Sequence, residues 1–571
     1  MPPRFLIAVD YGTTFTGVSW VLTEGRDPTL DNINLVDTWP TANATTKALK
    51  VPSMITYCPN SGSQWGYGIG DGAYVLRWTK LQLETPTRHE ALKRLKHTLE
   101  ETRLLAFNVR EDLEGAKIPF HLACTTEQIV TEYLTHVARV VEDDIKRHRD
   151  ARNLEEFPID LMITHPAKWQ LRARNITFRA VNEAFRSVFP RMRDLPGHVR
   201  MGTEPEASAQ YIMSLAVRTR LGSLRRARIF MSTNALGECF IIVDAGGGTV
   251  DLVSYQVDQS SPNFSVTRIT EPAGGPFGST RVDQHLLKRF LRERLSEQDY
   301  NFLVNEDRQN RRHGSGPHAM FTSSQHKLIE KFQTIKHKFS GAPQQDFLVL
   351  PSNLGQDENP LRGPIGNVRI TETDLETMFE DSVSGVLTLL LQQLTQIRQL
   401  KGLMPKCVFL SGGFSASPYL RKRIETLCTL RRISVLRAWE NADDVNIDPT
   451  TDETGWADVA RGAALMGLGI GCPAPPICIE CPVYIGVLVA VDFKNYEHRD
   501  AQLYTDKFDR KLRARNHIKW MAAKGDLITR EEGINNSLTI TRKVIEDARL
   551  TGSIDVVISR MGGHEEIPEG K

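Results

Sequence analysis

FLIAVDYGTTFTGVSWVL, residues 5–22, is an apolar run that ends on Asp10, turns on Gly12, Thr13 and Thr14, and re-enters an apolar run after Gly17. That pattern predicts two strands around a polar, glycine-bearing turn. It returns 234 positions later in ECFIIVDAGGGTVDLVSY, residues 238–255. There Asp244 ends the strand, Gly246, Gly247, Gly248 and Thr249 make the turn, and Val250 and Asp251 open the next strand. Glycine permits close backbone approach, so successive N–H groups can point at phosphate oxygens, and threonine adds a hydroxyl donor. An aspartate at a strand end can hold magnesium directly or through its waters, because that ion prefers oxygen ligands and keeps part of its water shell. One such turn fits a plain tight hairpin equally well. Turn chemistry gives no reason for the aspartate to recur, and two facing hairpins would clamp a polyphosphate from both sides.

A third element follows the same logic. In KCVFLSGGF, residues 406–414, a strand runs into Gly412 and Gly413 before a helix at 418–427. The glycine pair would let a base or ribose lie against the backbone, and a tight strand–helix turn is the alternative. Elsewhere the periodicity predicts helices at 125–148, 172–189 and 371–399 and a strand at 161–166. Thr125 with Gln128 forms a capping box at the start of the first of these helices. Short β-branched runs alternating with amphipathic stretches give an α/β class. The usual phosphate and catalytic motifs are missing: there is no G-x-x-x-x-G-K-[ST], no G-x-G-x-x-G after a strand, no H-E-x-x-H and no G-x-S-x-G.

Composition removes other classes. The chain has 571 residues, 40% hydrophobic and 25% charged, with 71 Lys plus Arg against 69 Asp plus Glu. This is ample material for a core without disulfides or metals. The near-balance of charge argues against a dedicated nucleic-acid binder and an acidic disordered regulator. No apolar run reaches the 18 or more residues of a membrane span, and the N-terminus lacks a signal-peptide pattern, so the expectation is a cytoplasmic protein, with the nucleus open. Five of the eight cysteines (58, 124, 239, 407 and 428) are scattered and read as buried free thiols. Cys472, Cys478 and Cys481 cluster without a fourth ligand at zinc spacing. Basic stretches at 218–228 and 308–318 read as surface insertions, and the Gly-, Pro- and Cys-rich segment at 469–481 as a linker.

With these three elements in this order, the chain resembles the actin-like ATPase superfamily, and within it the seventy-kilodalton heat-shock chaperone family. Further matches lie in THPA at 164–167, TEPEASA at 203–209, GGPFGSTRVD at 274–283, KHKFS at 336–340 and RGAA at 461–464. WTKLQL at 78–83 and IKWMAAKGD at 518–526 resemble a divergent heat-shock-like branch abundant in fungi. The resemblance covers about residues 5–471. It implies an α/β actin-like fold of two ribonuclease H-like lobes, lobe I at about 1–205 with 445–471 and lobe II at about 206–444, followed by a small β-rich module at 472–571. It implies ATP or ADP with Mg2+ as ligands. Gly12, Thr13, Thr14, Gly246, Gly247, Gly248, Thr249, Lys336, Ser340, Gly412 and Gly413 would bind the nucleotide. Asp10, Asp244 and Asp251 would arrange the metal. Lys80, Glu204, Asp244 and Thr249 would carry hydrolysis, by positioning and electrostatics without a covalent intermediate. Pro166 and Arg174 match positions that couple the nucleotide site to a substrate domain.

The alternating runs YIGVLVAVDF, HIKWMAAKGD, SLTITRKVI and SIDVVISR within 481–571 predict a β-rich module in the position of the family's peptide-gripping sandwich, with no helical lid and no E-E-V-D tail. The implied partners are unfolded or client polypeptides and co-chaperones, with no nucleic acid and no membrane, and the chain a monomer. Two other readings stay open. One is a small-molecule kinase of the same superfold, which needs a base and an acceptor pocket. The other is a nucleotide-sensing scaffold with little turnover. His337 stands where the family carries an adenine-stacking arginine, and Phe414 and Ala416 replace its Ser and Arg beside the double glycine.

Overall fold

The computed structural model describes residues 3–24, 30–58, 62–70, 75–84, 125–149, 157–169, 171–189, 192, 199–218, 236–259, 265–305, 320–352, 354–356, 363–437, 457–469, 479–480, 484–492, 503–506, 510–522, 527–528 and 556–559. The chain divides into two compact units, Met1–Pro473 and Ala474–Lys571.

Two sheets of the first unit share one plan. In the first, β1 (Arg4–Tyr11), β2 (Phe15–Thr23), β3 (Asn34–Leu35), β4 (Ile159–His165) and β5 (Val199–Thr203) lie in the spatial order β5-β4-β1-β2-β3. In the second, β6 (Cys239–Ala245), β7 (Val250–Gln259), β8 (Ser265–Arg268), β9 (Cys407–Ser411) and β10 (Ser434–Arg437) lie in the order β10-β9-β6-β7-β8. Each sheet is thus an antiparallel meander of three strands extended by two parallel ones. Strands β4 and β6 are buried along their full length, and β1 from Phe5 onward, as expected when helices cover both faces.

The helices arise where the sequence places caps and apolar stripes. Thr125 caps α1 (Thr126–His148) through a capping box with Gln128, and Ile129, Val130, Leu134, Val137, Val141 and Ile145 are buried. Together with α2 (Leu171–Val188) this helix covers one face of the first sheet, against Ile7, Val9 and Trp20. Helix α3 (Glu204–Arg218) follows β5 directly. Its first turn is closed by Thr203, whose hydroxyl accepts from the Glu206 N–H while the Glu206 carboxylate accepts from the Thr203 N–H. Pro205 is tolerated there because the N–H groups of a first helical turn have no partner in the helix. On α3, Ala207 joins the core of the first sheet, whereas Ala209, Ile212 and Met213 join that of the second. One helix therefore locks the two sheets in place. The long α4 (Glu372–Lys401), capped by Thr371 with Asp374, covers the other face of the second sheet. Helix α5 (Pro418–Thr429) has Pro418 in its first turn and Ser417 as its cap. Helix α6 (Asp458–Leu468) crosses α3 closely enough that a Cβ on Gly462 would strike the carbonyl oxygen of Ala207.

Cys239, Cys407 and Cys428 are free and buried, as the scattered cysteines predict. No helix among the described residues is long and apolar enough to cross a membrane. In the second unit, β11 (Tyr484–Asp492), β12 (Leu503–Thr505), β13 (Leu512–Ala522) and β14 (Val556–Ser559) pair antiparallel in the order β12-β13-β11-β14. The segments 219–228 and 308–318, the cluster of Cys472, Cys478 and Cys481, and the SLTITRKVI run lie outside the described residues.

Candidate functional site

The two predicted hairpin turns have the same internal geometry. In the β1–β2 turn the Gly12 N–H donates to the Phe15 carbonyl at 3.1 Å; in the β6–β7 turn the Gly246 N–H donates to the Thr249 carbonyl at 3.0 Å. They face each other across the first unit. A Cβ on Gly247 would collide with the Thr14 side chain, and one on Gly248 with the Thr13 side chain. Glycine is thus required at both positions by the opposing threonines.

Behind the turns sits a buried charge cluster. Asp10, Glu204, Asp244 and Asp251 are at most 8% exposed, with the ammonium groups of Lys50 and Lys80 among them. Lys80 pairs with Glu204 and lies over the Trp169 ring at 5.5 Å from its centroid. It is presented by a short helical turn, Thr79–Gln82, which follows Trp78 in a left-handed conformation (φ 59°). That non-glycine strain is held by the edge contact of Trp78 with Phe321 at 4.8 Å and by a 2.8 Å hydrogen bond between the Thr79 and Tyr11 hydroxyls. Lys50 donates to Asp10 Oδ2 at 2.6 Å, and the Thr164 hydroxyl donates to Asp10 Oδ1 at 3.1 Å.

The carboxylates differ in their protonation. Burial pushes Asp10 up, but Lys50 and Lys80 outweigh it and hold the group below the usual range. Burial raises Glu204 against the opposing pull of Lys80. Asp244 is raised well above the normal range by burial and by Glu204, Asp10 and Asp251. Asp251 is pushed up to about 7 by burial and Glu204, although the Ala167 and Lys168 N–H groups bond to it. Four buried acids facing two ammonium groups form an under-neutralised, all-oxygen donor set, which suits a hard divalent cation. Among the described residues no three Asp, Glu, His or Cys side chains are arranged to chelate a metal by themselves. The donor set fits a magnesium ion, which one or two of these carboxylates would hold.

The neighbouring loops also bear on the turns. Gly412 has φ 82° and lies so close to Asp244 and the Ala245 carbonyl that no side chain fits, whereas Gly413 is exposed. Phe414 is buried in the core against Phe379. Gly278 packs on Gly247 and Gly248, and the Thr280 N–H donates to the Gly247 carbonyl at 2.8 Å. Lys336 forms a buried ion pair with Asp283, at 2.8 and 3.0 Å. Ser340 is half-buried just beyond the helix Ser323–Lys338. Arg174 donates to the carbonyls of Trp169 (2.9 Å) and Ala167 (3.2 Å), so it braces the loop after Pro166 that touches both Asp251 and Lys80.

Sequence reasoning missed Lys50, Thr164 and Trp169. Lys50 lies in KALKVPS and carries no local signal beyond a surface-type lysine. A pocket of about 840 Å3 elsewhere in the first unit is lined by Ser63, Glu127, Glu132, His136 and neighbours, and shares no residue with the hairpin cluster. The Ser63 hydroxyl is 2.9 Å from His136 Nε2 there. The hairpins, by contrast, bring together glycine turns, threonines, four acids and two lysines, which makes them the candidate site.

No family model matches the chain. Human heat shock 70 kDa protein 12B is 21% identical over 492 residues, 76% of this chain and 66% of the relative. Human heat shock 70 kDa protein 12A is 24% identical over 344 residues, 51% of this chain and 46% of the relative. The mouse 12A protein is 21% identical over 590 residues, covering 92% and 78%. The matches to the two human proteins thus take in less than two thirds of their length. At 21–24% identity these relatives support a seventy-kilodalton heat-shock-like kinship and, with the mixed α/β architecture, an actin-like ATPase fold.

Proposed function

We propose that the first unit binds Mg–ATP between the two hairpins and hydrolyses it slowly, as a chaperone-type ATPase of the divergent heat-shock-like branch. The observation that carries this reading is the apposition of Thr13 and Thr14 with Gly248 and Gly247, backed by the buried cluster of four acids and two lysines. The repeated sheet order supports two ribonuclease H-like lobes, about 1–205 with 445–471 and about 206–444. In this reading the backbone N–H groups of both turns and the threonine hydroxyls hold the phosphates. Lys80 stabilises charge on the terminal phosphoryl group, and Glu204 orients the attacking water. Burial raises the pKa of Glu204, which makes its ionised carboxylate a stronger base for that water's proton. Asp244 and Asp251, with Asp10 alongside, are the acids that would face magnesium directly or through its waters, and that ion would neutralise phosphate charge. In this reading Lys336 and Ser340, with Gly412 and Gly413, would serve the nucleoside. Lys336 serves there through its pair with Asp283, which fixes the helix carrying it.

The loop after Pro166 borders this site. It touches Asp251 and Lys80 and is held by Arg174, which supports a role for Pro166 and Arg174 in passing nucleotide state to a peptide-binding β module at 472–571. Client polypeptides and co-chaperones are the corresponding partners. Fluorescent ATP binding and single-turnover hydrolysis of the full chain test the reading. Measurable magnesium-dependent turnover, lost in Glu204→Gln and Lys80→Ala, is expected; unchanged turnover in both variants overturns the catalytic assignment. A specific observation favours a second reading: Lys50 and Lys80 already neutralise Asp10 and Glu204, as in a site built to sense nucleotide rather than turn it over. ATP binding without hydrolysis in the unaltered chain selects it.

A further inference from the structure

Asp10 and Asp244 occupy equivalent places at the ends of β1 and β6, but their surroundings are not equivalent. Opposite Asp244 on the next strand stands Asp251; opposite Asp10 stands Gly17. The missing side chain at Gly17 leaves the path through which Lys50 enters. A Cβ there would lie 3.0 Å from Lys50 Cε and 3.2 Å from its Cγ. The Lys50 ammonium ends 2.6 Å from Asp10 Oδ2, and both side chains are under 10% exposed. Its backbone is also fixed, since the Tyr67 hydroxyl donates to the Lys50 carbonyl at 3.0 Å. With Thr164 on the other oxygen, Asp10 has a hydrogen-bond donor on each of its carboxylate oxygens.

We propose that Lys50 is a tethered cation that takes the divalent-metal position on Asp10, so that lysine and metal exclude one another there and a metal is left to the Asp244–Asp251 side of the site. This rests on the reading of Asp10 as a cation-binding carboxylate, and not on whether the chain hydrolyses ATP. Two cations cannot both sit against one carboxylate oxygen in a buried site without strong mutual repulsion. A lysine that arrives with the fold costs no metal concentration, and the hairpin is neutralised before any ligand enters.

The test is Mn2+ binding by the full chain without nucleotide, followed by the electron paramagnetic resonance signal of free Mn2+. Lys50→Met keeps the length of the stem and removes the charge. It is expected to bind Mn2+ at least about tenfold more tightly than the unaltered chain, and Lys50→Met with Asp10→Asn is expected to abolish that gain. An affinity within about twofold of the unaltered chain, in a variant with an unchanged circular dichroism spectrum, overturns the proposal. Should Lys50→Met not fold, Lys50→Gln and a Mn2+-soaked crystal of the unaltered chain decide the matter. Anomalous density ligated by Asp10 while Lys50 remains on that carboxylate overturns it. Density that avoids Asp10, or that reaches it with Lys50 displaced, supports it. Failure of ATP binding in a separate titration overturns the nucleotide reading alone and leaves the Mn2+ result intact.

Discussion

Gly248 stands so close to Thr13 that one added methyl group would overlap the threonine side chain. These residues are 235 positions apart and belong to different sheets, so their contact is where the two hairpins meet. Gly248→Ala is expected to destabilise the chain by about 1–3 kcal/mol, the usual cost of overpacking. Thr13→Gly in the same chain should recover part of that loss, because it removes the obstructing atoms. A double-mutant cycle by chemical denaturation reads the coupling, and additive effects would mean that the turns do not touch.

Lys80 and Glu204 form a pair buried to 2% and 8% exposure. Removing one partner strands the other charge, at a cost of about 3–5 kcal/mol, while replacing both by apolar groups of similar size costs much less. Lys80→Met and Glu204→Leu singly, then together, should show this pattern in melting temperature. A double variant as unstable as the sum of the singles contradicts the pairing.

His165 is buried at the end of β4 and shares a 2.8 Å hydrogen bond with the Pro166 carbonyl, which its Nδ1–H donates. Burial, with the Arg174 charge adding to it, lowers its pKa to about 3. The unfolded chain takes up this proton near pH 6.5, while the folded chain resists it. No stability is lost above that pH; the loss begins below 6.5, grows as pH falls and is complete below about 3. At pH 5 it is about 2 kcal/mol. Denaturant titrations of His165→Asn, compared with the unaltered chain, should show a shallower fall between pH 6.5 and 4.

Helices α3 and α6 cross at Ala207, three residues after Glu204. Gly462→Ala drives a methyl group into the Ala207 carbonyl, which is backbone and cannot swing aside. A loss of at least about 2 kcal/mol is expected. Because Glu204 begins α3, any ATP turnover should fall with it. Unchanged melting would show that the helices have room to separate.

The local features were legible in the sequence because their causes are local. Asp10 and Asp244 stand one residue from the ends of their strands, glycine and threonine make the turns, Thr125 caps its helix where predicted, and the helix predicted from 371 begins there. The repeated turn is legible because each member is encoded within a dozen residues. The identity of each charge partner was not legible. Lys50 reads as a surface lysine until Gly17 is seen to make room for it, and Lys336, expected at the nucleotide, has Asp283 as its buried partner. A side chain's ion partner and the protonation of a buried acid depend on which distant segments exclude water around it. Only the tertiary structure fixes that, and so it alone decided that four acids and two lysines share one buried site, with Thr13 and Thr14 pressed against Gly248 and Gly247.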